Sequence, residues 1–243
     1  PGAWIWDLRQ EPKGLTVASA LAARVPGQRL LAVGTDMSVG KMSACLDLRA
    51  AARRRGLDAR FVGTGQAGIL ISGGGVPLDA IRVDYAAGGV EQALVAAAEG
   101  ATAHTWMLVE GQGSLCHPGS TATLPLMRGS QPTHLLLVHR AGQRTIRNGP
   151  HIPIPPLPEV IEAVEALAAL GRPQDAPPAP RVGAIALNTA HLDGEGARRA
   201  LEEIGALTGL PCDDPVRHGG EHLLAVFLNQ ASKQDAGTVE GNG

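Results

Sequence analysis

The chain has 243 residues, a formal net charge of −2 and 44% hydrophobic residues, enough for one α/β domain or two small ones. With aromatics at 2%, the core must be built from Leu, Val, Ile and Ala, and the near-neutral charge gives no electrostatic reason to expect nucleic acid or an acidic membrane surface. No apolar segment approaches the ~20 residues that span a bilayer, and the three cysteines (Cys45, Cys116, Cys212) lack the close spacing of a disulfide framework or thiolate zinc site. A reducing cytoplasm is the expected location. No signal peptide is visible, and the opening PGAW without an initiating Met points to processing or to a fragment of a longer chain.

Residues 1–28 form a lead-in to the first clear element. The apolar run LLAV at 30–33 reads as a buried strand, followed by GTDMSVGKMS at 34–43 and a helical stretch from Lys41 to Arg55. Strand, Gly-rich loop and helix in that order make a phosphate cradle. Glycines let backbone N–H groups point inward, the helix N-terminus adds partial positive charge, and Lys41 adds a full one. The candidate cofactor-binding residues are therefore Gly34, Thr35, Asp36, Ser38, Val39, Gly40, Lys41, Met42 and Ser43. Asp36 can equally touch a ligand or bond loop N–H groups. Two departures from the usual P-loop stand out. Five residues rather than four separate Gly34 from Gly40, and Met42 stands where an ATPase places the Ser or Thr that ligates magnesium. A thioether is a poor ligand for a hard cation. Ser43, one step late, is placed to contact a phosphate instead, and no metal ligands are assigned.

Arg60 to Val62 reads as a short strand running into GTGQAG at 63–68, which fits the dinucleotide fingerprint. That motif needs a helix opening at its last glycine, but ILISGGG at 69–75 reads as β-like and then as a flexible loop. Thr64, Gly65 and Gln66 are accordingly expected to line a substrate pocket. A short strand near Ala80 to Val83 leads to Asp84, which can receive a substrate amine or ligate a metal. The helix from about Gly89 to Glu99 has Glu91 in its first turn, where dipole stabilisation is the usual explanation. The strand from Trp106 to Val109 ends in EGQGS at 110–114. A carboxylate there is costly unless solvated, paired or coordinating. Glu110 is thus the leading candidate for a general base or a metal ligand, with bonding to loop amides as the structural alternative. Gln112 is a candidate substrate contact.

Cys116 and His117 are neighbours, but adjacent residues on an extended strand point to opposite sides, so Cys116 reads as a small buried hydrophobe. His117 and His139 are rivals to Glu110, against the commoner role of a lone histidine as a satisfied structural group. His139 closes the strand from Leu135 to Val138. Arg140, Arg144 and Arg147 cluster after it, holding a dicarboxylate substrate or extra phosphates, or simply solvated. A proline-rich stretch from Pro150 to Pro158 leads into a helix from about Glu159 to Leu170, and a second one from Pro173 to Pro180 into a strand from Val182 to Leu187. A helix from Glu195 to Thr208, a short edge element within 209–215 and a last helix from Glu221 to Asn229 complete the P-loop domain, 29–230. Residues 231–243 are small and polar and are expected to form a disordered tail.

Strands alternate with helices, and most strands are unbroken apolar runs, the pattern of a parallel sheet covered on both faces. The fold class is α/β, a P-loop NTPase-like three-layer sandwich with a mostly parallel central sheet. Ligands of such sheets bind beyond the carboxyl ends of the strands. Gly34, Thr64, Asp84, Glu110, His139 and Asn188 all fall at those ends, which argues for one site.

Several motifs together resemble the DgcN-type family of P-loop proteins. They are GTDMSVGKMS at 34–43, GTGQAGI at 63–69, VEGQGSL at 109–115 with His117 and Pro118, GSQP at 129–132, PIPP at 153–156 and ALNT at 186–189. The likeness runs from about Trp4 to Phe227. Members are described as D-glutamate N-acetyltransferases and normally carry an additional N-terminal Rossmann-like domain. The resemblance implies a cytoplasmic amino-acid N-acetyltransferase with acetyl-CoA on the P-loop and D-glutamate or a similar amino acid as substrate. For that reaction the strand-end reading offers Glu110, His117 and Asp84 as candidates for catalysis and Thr64, Gln66, Gln112 and Arg144 as substrate contacts, while resemblance tilts Asn188 toward recognition of the adenine. A homo-oligomer without nucleic-acid or membrane partners is expected. The chain is more distantly similar to dethiobiotin synthetase, which implies the alternative of an ATP-dependent ligase or kinase using magnesium. A non-catalytic nucleotide-binding module is the third reading.

Overall fold

The computed structural model describes residues 5–240, with side chains described through residue 233. In chain order, β1 (Gln28–Gly34) feeds α1 (Lys41–Arg54) and β2 (Ala59–Val62) feeds the short α2 (Gln66–Ser72). Next come α3 (Ala86–Ala97), β3 (Trp106–Val109), α4 (Thr123–Ser130) and β4 (His134–Arg140). A small antiparallel hairpin, β5 (Thr145–Ile146) and β6 (Gly149–Pro153), follows. The remainder is α5 (Leu157–Ala168), β7 (Arg181–Asn188), α6 (Gly194–Thr208), β8 (Cys212–Asp213), α7 (Pro215–His218) and α8 (Glu221–Glu240).

Six strands form one sheet in the order β2–β3–β1–β4–β7–β8, and every adjacent pair is parallel. The expected parallel α/β sandwich is what the chain forms. Central strands β1, β3 and β4 are buried almost throughout, which is why their sequences are continuous apolar runs. On one face, Leu30, Leu108 and Leu136 pack with Leu48 of α1 and with Leu223 and Phe227 of α8. On the other, Leu31, Val109 and Leu135 pack with Leu94 of α3, Leu126 of α4 and Val160 of α5. With so few aromatics the core is nearly all aliphatic. Phe61, Trp106 and Phe227 are the exceptions among the described residues, and the last two lean on the buried His134 ring.

Four local expectations are corrected. ILIS at 69–72 is helical, not β-like: Gly65 is an extended N-cap, Gly73 closes α2 at φ 80°, and the apolar run faces inward only through Ile69. A short apolar run does not reveal its period. No strand forms near Ala80 to Val83. Pro77 and Asp79 turn the chain into 3-10 turns at Leu78–Ala80 and Val83–Tyr85 instead. Asp84 therefore follows no strand and lies exposed in the second turn. Glu91 is not in the first turn of α3. It is buried, and its carboxylate accepts hydrogen bonds from the amides of Ser19 and Leu21, pinning the lead-in to the helix. Finally, α8 continues past Ala231, where a disordered tail was expected, through Glu240; residues 241–243 of that tail lie outside the described residues.

Candidate functional site

The strand ends build the site from the centre outward. At the end of β1 the loop turns tightly into α1, with Ser38 at φ 57° and Gly40 at φ 115°. Only a residue without Cβ adopts the latter comfortably. The first helical bond of α1 runs from the Ala44 amide to the Gly40 carbonyl at 3.0 Å. Among the described hydrogen bonds, the amides from Ser38 to Ser43 have no acceptor, so they are the orphan donors of a helix start, gathered on one cavity. That cavity, about 360 Å³, is lined by Ser38, Lys41, Met42, Ser43, Glu110 and Gly111 among others.

Lys41 is buried and donates to the Asp36 carbonyl at 2.9 Å. Burial pulls its pKa down to about 8, against the attraction of the Asp36 and Glu110 carboxylates. A polyanion placed beside it would restore the charged form. Asp36 itself is committed to the protein. Its carboxylate accepts from the Met37 amide at 2.7 Å, from Gln143 Nε2 at 2.6 Å and from the Arg147 amide at 2.8 Å. The loop-bonding role is the one the geometry displays. Thr35 is likewise occupied, with Oγ1 2.8 Å from His139 Nδ1. His139 is buried, and that burial lowers its pKa to about 4, so the imidazole is neutral and structural at ordinary pH.

Glu110 stands at the end of β3, facing the lysine. One carboxylate oxygen accepts from the amides of Thr64 (2.8 Å) and Gly65 (3.1 Å), while the Thr64 hydroxyl donates to the Glu110 carbonyl at 2.8 Å. Burial raises its pKa, opposed by those two amides and by Lys41. A Cβ on Gly68 would collide with the same carboxylate oxygen, which explains a glycine inside α2. The fingerprint GTGQAG thus makes a seat for a carboxylate.

Two further cavities adjoin the cradle. On one side, toward β2 and β3, about 280 Å³ is lined by Met37, Thr64, Gln66, Gln112, Gly113 and Ser120 among others. Gln66 is held there by Asp79, with both carboxylate oxygens 2.8 Å from its Nε2. The amides of Gly111, Gln112 and Gly113 donate to no described group. On the other side, toward β4, β7 and β8, about 410 Å³ has largely apolar walls, including Val39, Ala44, Ala186 and Val216. Asn188 and Arg217 supply its polar edge. Asn188 donates to the Val39 carbonyl at 3.0 Å and accepts from the Ala190 amide at 3.1 Å, so it also braces the P-loop.

The structure therefore brings together the P-loop residues with Thr64, Gln66, Glu110, Gln112 and Asn188. Asp84 lines none of these cavities. His117 sits off the cradle, its Nδ1 accepting from the Gly119 amide at 3.0 Å. Arg144 lies in a separate basic cavity beyond β4. The wall at 214–217 is absent from the sequence-based candidates. Asp214 caps α7 by accepting from the Val216 and Arg217 amides, and also holds the Thr189 amide at 2.9 Å. The DDP at 213–215 was the available signal, an N-cap followed by proline.

Strand–loop–lysine–helix at the centre of a parallel sheet, with free amides on a cavity, defines a P-loop α/β protein. The family model described as "Domain of unknown function (DUF1611_C) P-loop domain" matches residues 16–224, and the chain belongs to that family. It is 39% identical over 224 residues to a D-glutamate N-acetyltransferase of Tritonibacter scottomollicae, covering 92% of this chain and 64% of that one. It is 38% identical over 200 residues to a D-glutamate N-acetyltransferase of Pseudoalteromonas sp, covering 82% and 58%. A crystal structure of a DUF1611 family protein from Anabaena variabilis superposes with a TM-score of 0.88 at 52% identity, covering 94% of this chain and 65% of that one. The chain spans less than two thirds of the length of any of these three.

Proposed function

We propose that the chain is the cofactor-binding and reacting part of an amino-acid N-acetyltransferase that takes acetyl from acetyl-CoA to the amine of D-glutamate or a similar amino acid. The observation that bears most weight is the position of Glu110. Its carboxylate lines the phosphate cradle, and the loop that follows it, through Gln112 and Gly113, lines the neighbouring polar cavity. A base at that junction reaches a group from either side.

The residues present fit coenzyme A. Its diphosphate matches the orphan amides from Ser38 to Ser43 and the Lys41 ammonium. Its adenine matches the apolar cavity edged by Asn188, whose size is that of an ordinary ligand pocket. When bound, it supplies an activated acyl carbon. The cavity lined by Thr64, Gln66 and Gln112 takes the amino acid. An ammonium must lose a proton before it is nucleophilic, and Glu110, with its pKa raised by burial, accepts that proton better than an exposed glutamate. The amides from Gly111 to Gly113 stand ready for a developing oxyanion. The two relatives named as D-glutamate N-acetyltransferases support the same chemistry.

Calorimetric titration with acetyl-CoA and with ATP, each with and without magnesium, tests this reading. Magnesium-independent binding of acetyl-CoA is expected. Binding of ATP alone, dependent on magnesium, would replace it with an ATP-dependent ligase.

A further inference from the structure

Beyond β4 lies a cavity of about 560 Å³ that the reaction described above does not use. Arg140, Arg144 and Arg147 line it with Gln143, Thr145 and His191. Among the described residues, none of the three guanidinium groups forms an ion pair or a side-chain hydrogen bond, although Arg24, Arg54, Arg60, Arg82 and Arg181 each find a carboxylate. The carboxylate nearest in the hydrogen-bond network is Asp36, already satisfied by Met37, Gln143 and the Arg147 amide. Arg140 is half-buried and Arg144 and Arg147 are exposed, so the cavity offers three guanidinium groups with no carboxylate partner to an incoming anion.

The location says which anion. Arg140 pairs with Asn188 across β4 and β7, and the Ala141 amide donates to the Asn188 carbonyl at 3.0 Å. Ala190 lines the apolar cavity assigned to adenine, and the next residue, His191, lines the basic one. The two cavities therefore flank the single segment from Asn188 to His191. The amino-acid cavity lies at the ends of β2 and β3, on the far side of the P-loop, with Asp36 between. A dicarboxylate held there would lie across the P-loop from the arginines, whereas the segment from Asn188 to His191 joins the adenine cavity directly to the basic one.

We propose that Arg140, Arg144, Arg147 and His191 form a second anion site that takes the 3′-phosphate of the adenosine of coenzyme A. It distinguishes that cofactor from ATP and other adenine nucleotides lacking this group. The proposal rests on the acetyl-CoA reading above. Asp36 ties this site to the cradle. Through Gln143 and the Arg147 amide it fixes the segment after β4, with Arg144 and Arg147, against the P-loop.

The test is calorimetric binding of acetyl-CoA and of acetyl-dephospho-CoA, which lacks only the 3′-phosphate, to the wild-type chain and to Arg144→Ala/Arg147→Ala. A charge-assisted contact to phosphate corresponds to about a 10- to 100-fold preference for acetyl-CoA in the wild type. The preference is expected to shrink to less than ~3-fold in the double variant, through loss of acetyl-CoA affinity alone. Equal binding of the two compounds by the wild type overturns the proposal while leaving the acetyl-CoA reading intact, and needs no variant to fold. A preference that survives in the folded double variant also overturns it, since the 3′-phosphate is then read elsewhere. Binding of neither compound refutes the acetyl-CoA reading and this proposal with it. D-glutamate affinity falling in the double variant, with no preference between the cofactors, assigns the arginines to the substrate.

Discussion

Lys41 and Glu110 face each other across the cradle, and burial perturbs both toward their neutral forms. The consequence is a narrow working range of pH. Lys41 must be protonated to hold phosphate and loses its proton near pH 8 in the free protein, so kcat/KM is expected to fall as pH rises through about 8. Glu110 must be ionised to act as a base, and its raised pKa places the acid limb above the ordinary glutamate value. A pH–rate profile flat across pH 7–10 would contradict the assignment of Lys41. Glu110→Gln retains an acceptor for the Thr64 and Gly65 amides but no basicity. Turnover is expected to drop by about 100-fold or more, with acetyl-CoA affinity nearly unchanged. Lys41→Ala reverses that pattern: cofactor affinity falls, by about 100-fold for a lost ammonium–diphosphate contact. Its melting temperature is expected to hold or rise, because a desolvated charge is removed. Calorimetry and thermal melts on the two variants separate the roles.

At the scale of elements, α2 and the hairpin β5–β6 are the parts that make a P-loop into this site. The turn that leads into α2 delivers the Thr64 and Gly65 amides to Glu110, and α2 leaves room for its carboxylate only because residue 68 is glycine. Gly68→Ala is expected to push Glu110 off its seat. A destabilisation of about 1–3 kcal/mol by denaturant unfolding should accompany it, with loss of turnover. The hairpin is fastened by Asp36 through Gln143 and the Arg147 amide. Asp36→Ala removes three acceptor contacts at once, so proteolysis between Arg144 and Asn148 is expected to accelerate relative to wild type.

For the whole molecule, two buried histidines set the response to acid. His134 and His139 both have pKa values lowered to about 4 by burial, the former also by Arg29. Each binds a proton more readily unfolded than folded between about pH 4 and 6.5, so stability is full above about 6.5 and is lost as pH falls toward 4. Denaturant unfolding at pH 7 and pH 4.5 is expected to show a marked drop, and His139→Gln should lessen it. An unchanged drop in that variant would mean that His139 titrates normally. No described helix is long and apolar enough to cross a membrane.

Much of this was legible in the chain itself. The parallel sheet followed from unbroken apolar runs, because strands covered on both faces bury every side chain whichever way it points. The cradle followed from GTDMSVGKMS, since a loop between strand and helix needs no partner to present its amides. What the sequence left open was every contact between segments distant along the chain. Whether Asp36 faced a ligand or the loop was decided by Gln143 and Arg147, more than a hundred residues away. ILIS became helix in the turn that follows the Thr64 and Gly65 amides held by the Glu110 carboxylate, and Asp84 left the strand ends because the strand before it did not form. Local propensity acts within a few residues, whereas hydrogen bonding and desolvation depend on what the fold brings alongside, and only the tertiary structure contains that information.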